Sequence, residues 1–199
     1  SGSFFSVELV ILFLIIIIIY IGNKFKISRL RPTVLIISVF TLGFWLNSPI
    51  ALGNLTALIS GNLPSLNERP FWYLLILGTI VLVISLGRNV YCYWLCPYGA
   101  VQEALHRVLP IFRYKPASYL EEIAHKVRWV VVWVAVMAAV LIGNPSLASY
   151  EPFSVFFKAQ GNHGQWIIML LVLVMAVPVY RFWCRFFCPV GAVLDLLAM

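Results

Sequence analysis

Five runs of apolar residues punctuate the chain, at residues 5–21, 33–51, 71–86, 129–142 and 165–180. Each approaches the ~20 mostly apolar residues that cross ~30 Å of hydrocarbon. The pattern predicts an all-α membrane protein with five transmembrane helices. The first run is rich in Ile and Leu and suits a peripheral, lipid-facing helix. No Lys or Arg precedes it and no small-residue cleavage site follows, so it reads as a retained span rather than a signal peptide. Two connections carry shorter apolar stretches, 50–60 and 153–159, expected as interfacial or re-entrant helices. Re-entrant backbone needs protein or a cavity around it. A pocket there would suit a quinone head group, with Glu151, Asn47 or His163 handling protons; the other reading is a docking surface for an external partner.

Composition narrows the class. Hydrophobic residues make up 62% of 199 and charged residues 11%, against ~45–50% and ~25% in soluble domains. A water-soluble globular enzyme, a disordered chain and a disulfide-stapled secreted module are excluded. One transmembrane domain, 1–199, is expected, divided into a peripheral span with its basic loop (1–31) and two further units (32–116 and 117–199).

Charge sets sidedness. Lys24, Lys26, Arg29 and Arg31 fall in the first connection; Arg88, Arg107, Arg113, Lys115, Lys126 and Arg128 in the third; Arg181 and Arg185 near the end. The alternate connections hold Arg69 and Lys158 alone. Twelve against two puts the N-terminus outside and the C-terminus in the cytoplasm, as expected for a multi-pass protein of the inner (cytoplasmic) membrane. The net charge of +7 is then topology and lipid contact; no basic run is long enough for nucleic acid.

An internal repeat carries the chemistry. Residues 90–105, VYCYWLCPYGAVQEAL, and 182–197, FWCRFFCPVGAVLDLL, share seven identities in sixteen positions at a shift of 92, and Glu103 matches Asp195 in charge. Each copy follows a pair of apolar runs, so the copies are related by an axis along the membrane normal and their cysteines lie at one depth. Cys92 and Cys96, like Cys184 and Cys188, stand at i and i+4 on one helix face. Proline bends the preceding cysteine out of the helix and starts a new one, whose amphipathic pattern reads as a surface helix aiming free N–H groups back at the sulfurs. Apolar packing, a disulfide and structural zinc are weaker readings of four such cysteines on a reducing face. Ligation of one iron–sulfur cluster by Cys92, Cys96, Cys184 and Cys188 is preferred, the ligand set suiting both [2Fe–2S] and [4Fe–4S] centres. Two clusters with outside ligands stay open.

Paired C-x-x-x-C-P motifs, each followed by Gly-Ala, resemble the polyferredoxin-like membrane domain. That domain occurs in the nitrous-oxide-reductase regulator flavoprotein, the quinol-oxidising membrane subunit of periplasmic nitrate reductase and a cytochrome-oxidase assembly protein. Asn47-Ser48-Pro49 and Glu151-Pro152-Phe153 look like that group too. The resemblance implies a 4Fe-4S centre, favoured over 2Fe-2S. It also implies partners among ferredoxin, flavin or haem subunits of a redox complex, with quinone as a further candidate. Its frequent companions, C-x-x-C-x-x-C ferredoxin motifs, do not occur among these residues.

The three histidines, His106, His125 and His163, lie outside the spans, which argues against an intrinsic haem. His106, ten residues beyond Cys96, is a candidate to tune a nearby cluster, with a solvated loop residue the preferred reading; His125 lies in the same inner connection. Glu8 reads as snorkelling to the outer boundary, Ser118-x-x-Glu121 as a capping box, and the segment 107–116 with Arg113 and Lys115 as a basic platform for lipid headgroups or an acidic carrier. The expected function is a membrane electron-transfer subunit of an oxidoreductase complex, itself non-catalytic. The alternatives are an assembly protein whose cysteines handle metal for a partner, and a cofactor-free anchor.

Overall fold

The computed structural model describes residues 7–25, 27, 29–46, 50, 51, 54, 61, 70–109, 113–142, 152–161 and 163–198. Asn47, Ser48, Pro49, Glu151 and most of 50–60 lie outside them. All regular structure among the described residues is helical. Each predicted span falls on a helix: α1 (Val7–Lys24), α2 (Leu30–Ser38) running into a π-helical segment π1 (Val39–Trp45), α3 (Pro70–Leu86), α5 (Ser118–Ile142) and α7 (His163–Ala176). Of these, α1 is both long and apolar enough to cross a membrane unaided; α2 with π1, α3 and α7 are shorter apolar helices.

α1 buries Leu12, Ile15, Ile19 and Gly22 along one stripe and leaves Val10, Phe13, Leu14, Ile17 and Ile21 exposed. The stripe packs on α3. At Gly22 a Cβ would come within 3.0 Å of the Trp94 indole, so the missing side chain lets α1 close on the first motif.

The apolar runs do not continue into the cysteine motifs, as the sequence pattern had implied. α3 ends at Leu86 because Gly87 turns left-handed (φ +57°). A π-helical turn, π2 (Tyr91–Leu95), then carries Cys92, and Cys96 is extended (φ −64°, ψ 114°) as a residue before proline must be. Pro97 starts α4 (Pro97–Val108). The second copy repeats this. α7 ends at Ala176 instead of Tyr180, since Pro178 cannot donate and forces Val177 out of the helix. α8 (Phe182–Phe186) carries Cys184, Cys188 is extended (φ −67°, ψ 114°), and Pro189 starts α9 (Pro189–Leu197).

α4 is not a surface helix. Tyr98, Gly99, Ala100, Gln102 and Glu103 are buried, as are Val190, Gly191, Ala192 and Leu194 on α9. The Tyr98 ring packs on Phe153 (centroids 5.2 Å) and Phe156 (6.0 Å) of the short helix α6 (Phe153–Lys158), which covers Phe44 of π1. Five residues on, Glu103 meets Arg31 at the start of α2. α4 therefore runs antiparallel to α2 and π1, and each Cys-Pro corner is the inner apex of a folded-back hairpin. The stretch 153–159 is a buried helix, Phe153, Val155 and Phe157 being 4%, 1% and 7% exposed. Gly43 is what admits it, because a Cβ there would collide with the Phe157 ring.

α5 does open at Ser118, but its first turn is closed by the Ala117 carbonyl, which accepts from Glu121 N (3.3 Å). The Glu121 carboxylate pairs with Arg185 of the second motif instead of capping its own helix.

Candidate functional site

The two hairpin apices bring the cysteines together. None is in a disulfide; Cys96 and Cys188 are buried, Cys92 and Cys184 partly so. Cys96 and Cys184 come within interaction range of each other across the repeat, and Cys184 lies within electrostatic range of Cys92 and Cys188 as well. Each buried sulfur caps the helix it precedes: Cys96 Sγ accepts from Gly99 N (3.5 Å) and Cys188 Sγ from Gly191 N (3.4 Å). Helix N-termini thus face sulfur, where they stabilise thiolate charge. A Cβ on Gly99 would lie 3.5 Å from Cys184 Sγ and 3.6 Å from the Cys92 carbonyl. Those are ordinary contact distances, so Gly99 lies directly between the two copies' cysteines.

Cys92 and Cys184 also line a cavity of about 450 Å³ with Asn89, Arg181, Arg185 and Asp195. Among the described residues no three His, Cys, Asp or Glu side chains close on one point, as a single ion requires. Four thiols from two apices are the donor set of an iron–sulfur cluster.

A charged shell backs the cysteines with the symmetry of the repeat. Glu103 Oε2 accepts from Arg31 Nη2 (2.5 Å), Arg181 Nη2 (2.7 Å) and the Tyr180 hydroxyl (2.9 Å), and Oε1 accepts from Arg107 Nη2 (2.6 Å). Asp195 Oδ2 accepts from Arg128 Nη2 (2.9 Å) and Oδ1 from Asn89 Nδ2 (2.9 Å). Asn89 and Arg181 are 92 residues apart, so each copy reaches across to the other copy's acid. The bases also grip the ligand backbone. Arg181 Nη1 donates to the Cys92 carbonyl (2.5 Å), Arg128 Nη1 to that of Cys184 (3.3 Å), and Asn89 Oδ1 accepts from Cys92 N (3.1 Å). Arg31 lies 4.0 Å over the Tyr93 ring.

Burial by itself would raise the Glu103 carboxyl, but Arg181, the Tyr180 hydroxyl and Arg31 outweigh it and hold the group below the usual carboxylate range. Arg181 sits in left-handed backbone (φ 51°), a conformation costing ~1–3 kcal/mol for a side chain of this kind. Its bonds to Glu103 and Cys92 hold it there.

Arg31, Arg128 and Arg181 are therefore buried ion-pair partners, although by sequence they counted toward topology and lipid contact. The signal was present in the acids: a carboxylate duplicated inside a buried motif needs a cation. Gln102 and Asn89 left no such trace, because nothing local marks a side chain that bonds across the repeat. His106 is not solvated; its Nδ1 lies 2.7 Å from the Val177 carbonyl and its ring packs on Tyr180. His125 and His163 are exposed. Arg113 and Lys115 are exposed too, while Arg107 leaves the expected basic platform to pair with Glu103.

Residues 68–116 and 166–199, which hold both cysteine motifs, match the family described as a 4Fe-4S binding domain. The chain is 25% identical over 205 residues to the regulatory protein NosR of Stutzerimonas stutzeri, covering 94% of this chain and 28% of that protein. It is 26% identical over 183 residues to the protein NirI of Paracoccus denitrificans (strain Pd 1222), covering 85% and 27%. It is 25% identical over 177 residues to YccM of Escherichia coli (strain K12), whose name places it in electron transport, covering 78% and 46%. The chain thus spans about a quarter of the length of NosR and NirI. No solved structure matches it. Through both copies of its paired-cysteine motif the chain resembles 4Fe-4S binding domains of this kind, and its cofactor is an iron–sulfur cluster, with [4Fe–4S] favoured.

Proposed function

We propose that this chain is a membrane-embedded electron-transfer subunit that holds one [4Fe–4S] cluster on Cys92, Cys96, Cys184 and Cys188 and passes electrons between partner cofactors. The observation that carries the reading is the approach of the two motifs, with Cys96 beside Cys184 across the repeat and arginines on the carbonyls of Cys92 and Cys184. When bound, the cluster supplies one-electron chemistry. The chain supplies four thiolates, helix N-termini and a surplus of buried positive charge that offsets the anionic, thiolate-bound centre.

Five spans are supported by the outward faces of the helices. Leu77, Val81 and Ile84 on α3, Val130, Trp133 and Val134 on α5, and Leu170, Leu171 and Val174 on α7 are all exposed. An apolar belt of that extent needs lipid or partner chains around it. On this reading the basic connections face the cytoplasm, and the Cys-Pro apices point from that side into the bundle toward α6. Redox partners fit the names NosR, NirI and YccM carry, and ferredoxin, flavin or haem subunits are the partner classes expected. Exchange with a quinone pool would use the groove of about 560 Å³ between α2 and α4, apolar along Leu35, Val39 and Leu105 and ended by Glu103 and Arg107.

Iron and sulfide analysis of the purified protein, with low-temperature EPR before and after reduction, tests the proposal. Equal iron and sulfide with a signal on reduction is the expected result. Changing any one of the four cysteines to Ser should lower iron by more than a quarter. Full iron in Cys92→Ser beside none in Cys184→Ser would sink the shared site. Iron delivered stoichiometrically to an acceptor protein would point to metal handling instead.

A further inference from the structure

The repeat makes the four thiols look equivalent, yet the amides beside them differ in origin: Asn89 of the same motif lies by Cys92, and Gln102 of the other copy lies by Cys184. Gln102 of α4 is fully buried, and its Nε2 lies 3.8 Å from Cys184 Sγ. Its Oε1 accepts from Trp183 N (2.9 Å), beside the same cysteine, which fixes the amide so that nitrogen faces sulfur. The position 92 residues on is Leu194, buried at 2% exposure and apolar. Leu194 can offer no donor to the first copy's cysteines. On the main chain, Arg128 holds the Cys184 carbonyl and Arg181 that of Cys92, while Asn89 holds Cys92 N.

Building on the proposed cluster site, we propose that Gln102 is a positioning residue that tunes the redox centre through an N–H···S bond to Cys184. Reduction adds one electron from a partner donor and moves no proton, so the sulfurs grow more negative. A donor aimed at one sulfur favours that state, raising the midpoint potential and drawing the added charge toward the Cys184 side. Donors set around sulfur are among the levers by which a protein shifts such potentials. The burial of Gln102 keeps water from replacing the bond.

The test uses the full chain in membranes or detergent, with iron content and an EPR-monitored redox titration for each variant. Gln102→Met keeps length and bulk but cannot donate. It should hold wild-type iron, shift the midpoint to more negative potential, and lose one exchangeable-proton hyperfine coupling. The reverse variant, Leu194→Gln, should shift the midpoint upward, and it decides the matter if Gln102→Met fails to load iron. An unchanged midpoint in an iron-replete Gln102→Met, or in Leu194→Gln should Gln102→Met not load, overturns the inference. Absence of iron from the wild type would instead overturn the cluster itself, so the two failures are separable.

Discussion

Glu103 and Asp195 hold the same place in the two copies of the motif, but their surroundings differ. The Glu103 side chain is 4% exposed and bonds three arginines and a tyrosine; the Asp195 side chain is 42% exposed and bonds one arginine and one asparagine. Duplication therefore reproduced the logic of the site, an acid clasped by a nearby arginine and by a residue of the other copy, Arg181 for Glu103 and Asn89 for Asp195. It did not reproduce the electrostatics. The first copy is closed by tertiary packing and carries a surplus of positive charge. The second copy's acid is open toward the cavity that Cys92 and Cys184 both line.

Removing the acid from each copy is the strongest way to break this comparison. Glu103→Gln leaves Arg31 and Arg181 buried without a counter-charge and should cost about 3–5 kcal/mol. Asp195→Asn should cost about 1 kcal/mol, since water screens its pair. Denaturation of the detergent-solubilised protein measures both, and equal losses would erase the distinction.

Acid sharpens the same point. The folded Glu103 carboxyl titrates below its unfolded value. Its contribution to stability is thus complete above the unfolded carboxylate range and is lost as pH falls through the depressed folded value. Wild type should lose stability on that acid limb, and Glu103→Gln should show a flatter one in pH-dependent melting.

Asn89 tests the crossing itself. Its side chain joins Asp195, the Gly191 carbonyl and Cys92 N, so Asn89→Ala should destabilise by about 1–2 kcal/mol. Iron content should fall with it, because Cys92 loses its anchor. Full iron retention at that loss of stability would show the crossing to be structural alone. The smallest effect belongs to Arg185→Ala. Its pair with Glu121 is 38% and 41% exposed, and about 0.5 kcal/mol or less is expected, with melting unchanged within a degree or two.

Much of this was legible in the residues. Apolar run length placed helices at all five positions, because burial or lipid contact leaves the backbone no better way to satisfy its own hydrogen bonds. The shift of 92 named all four cysteines, and the Cys-Pro step fixed the extended backbone at Cys96 and Cys188 through a local clash. What only the tertiary structure decided is how those pieces fold against one another. The amphipathic pattern of α4 could not reveal that its polar stripe faces buried arginines rather than water. The count of basic residues could not separate Arg31, Arg128 and Arg181 from the exposed Arg113 and Lys115. Gln102, Asn89 and Tyr180 act on partners 77 to 106 residues away. Pairing at such separations depends on how the two copies pack, which no local pattern encodes.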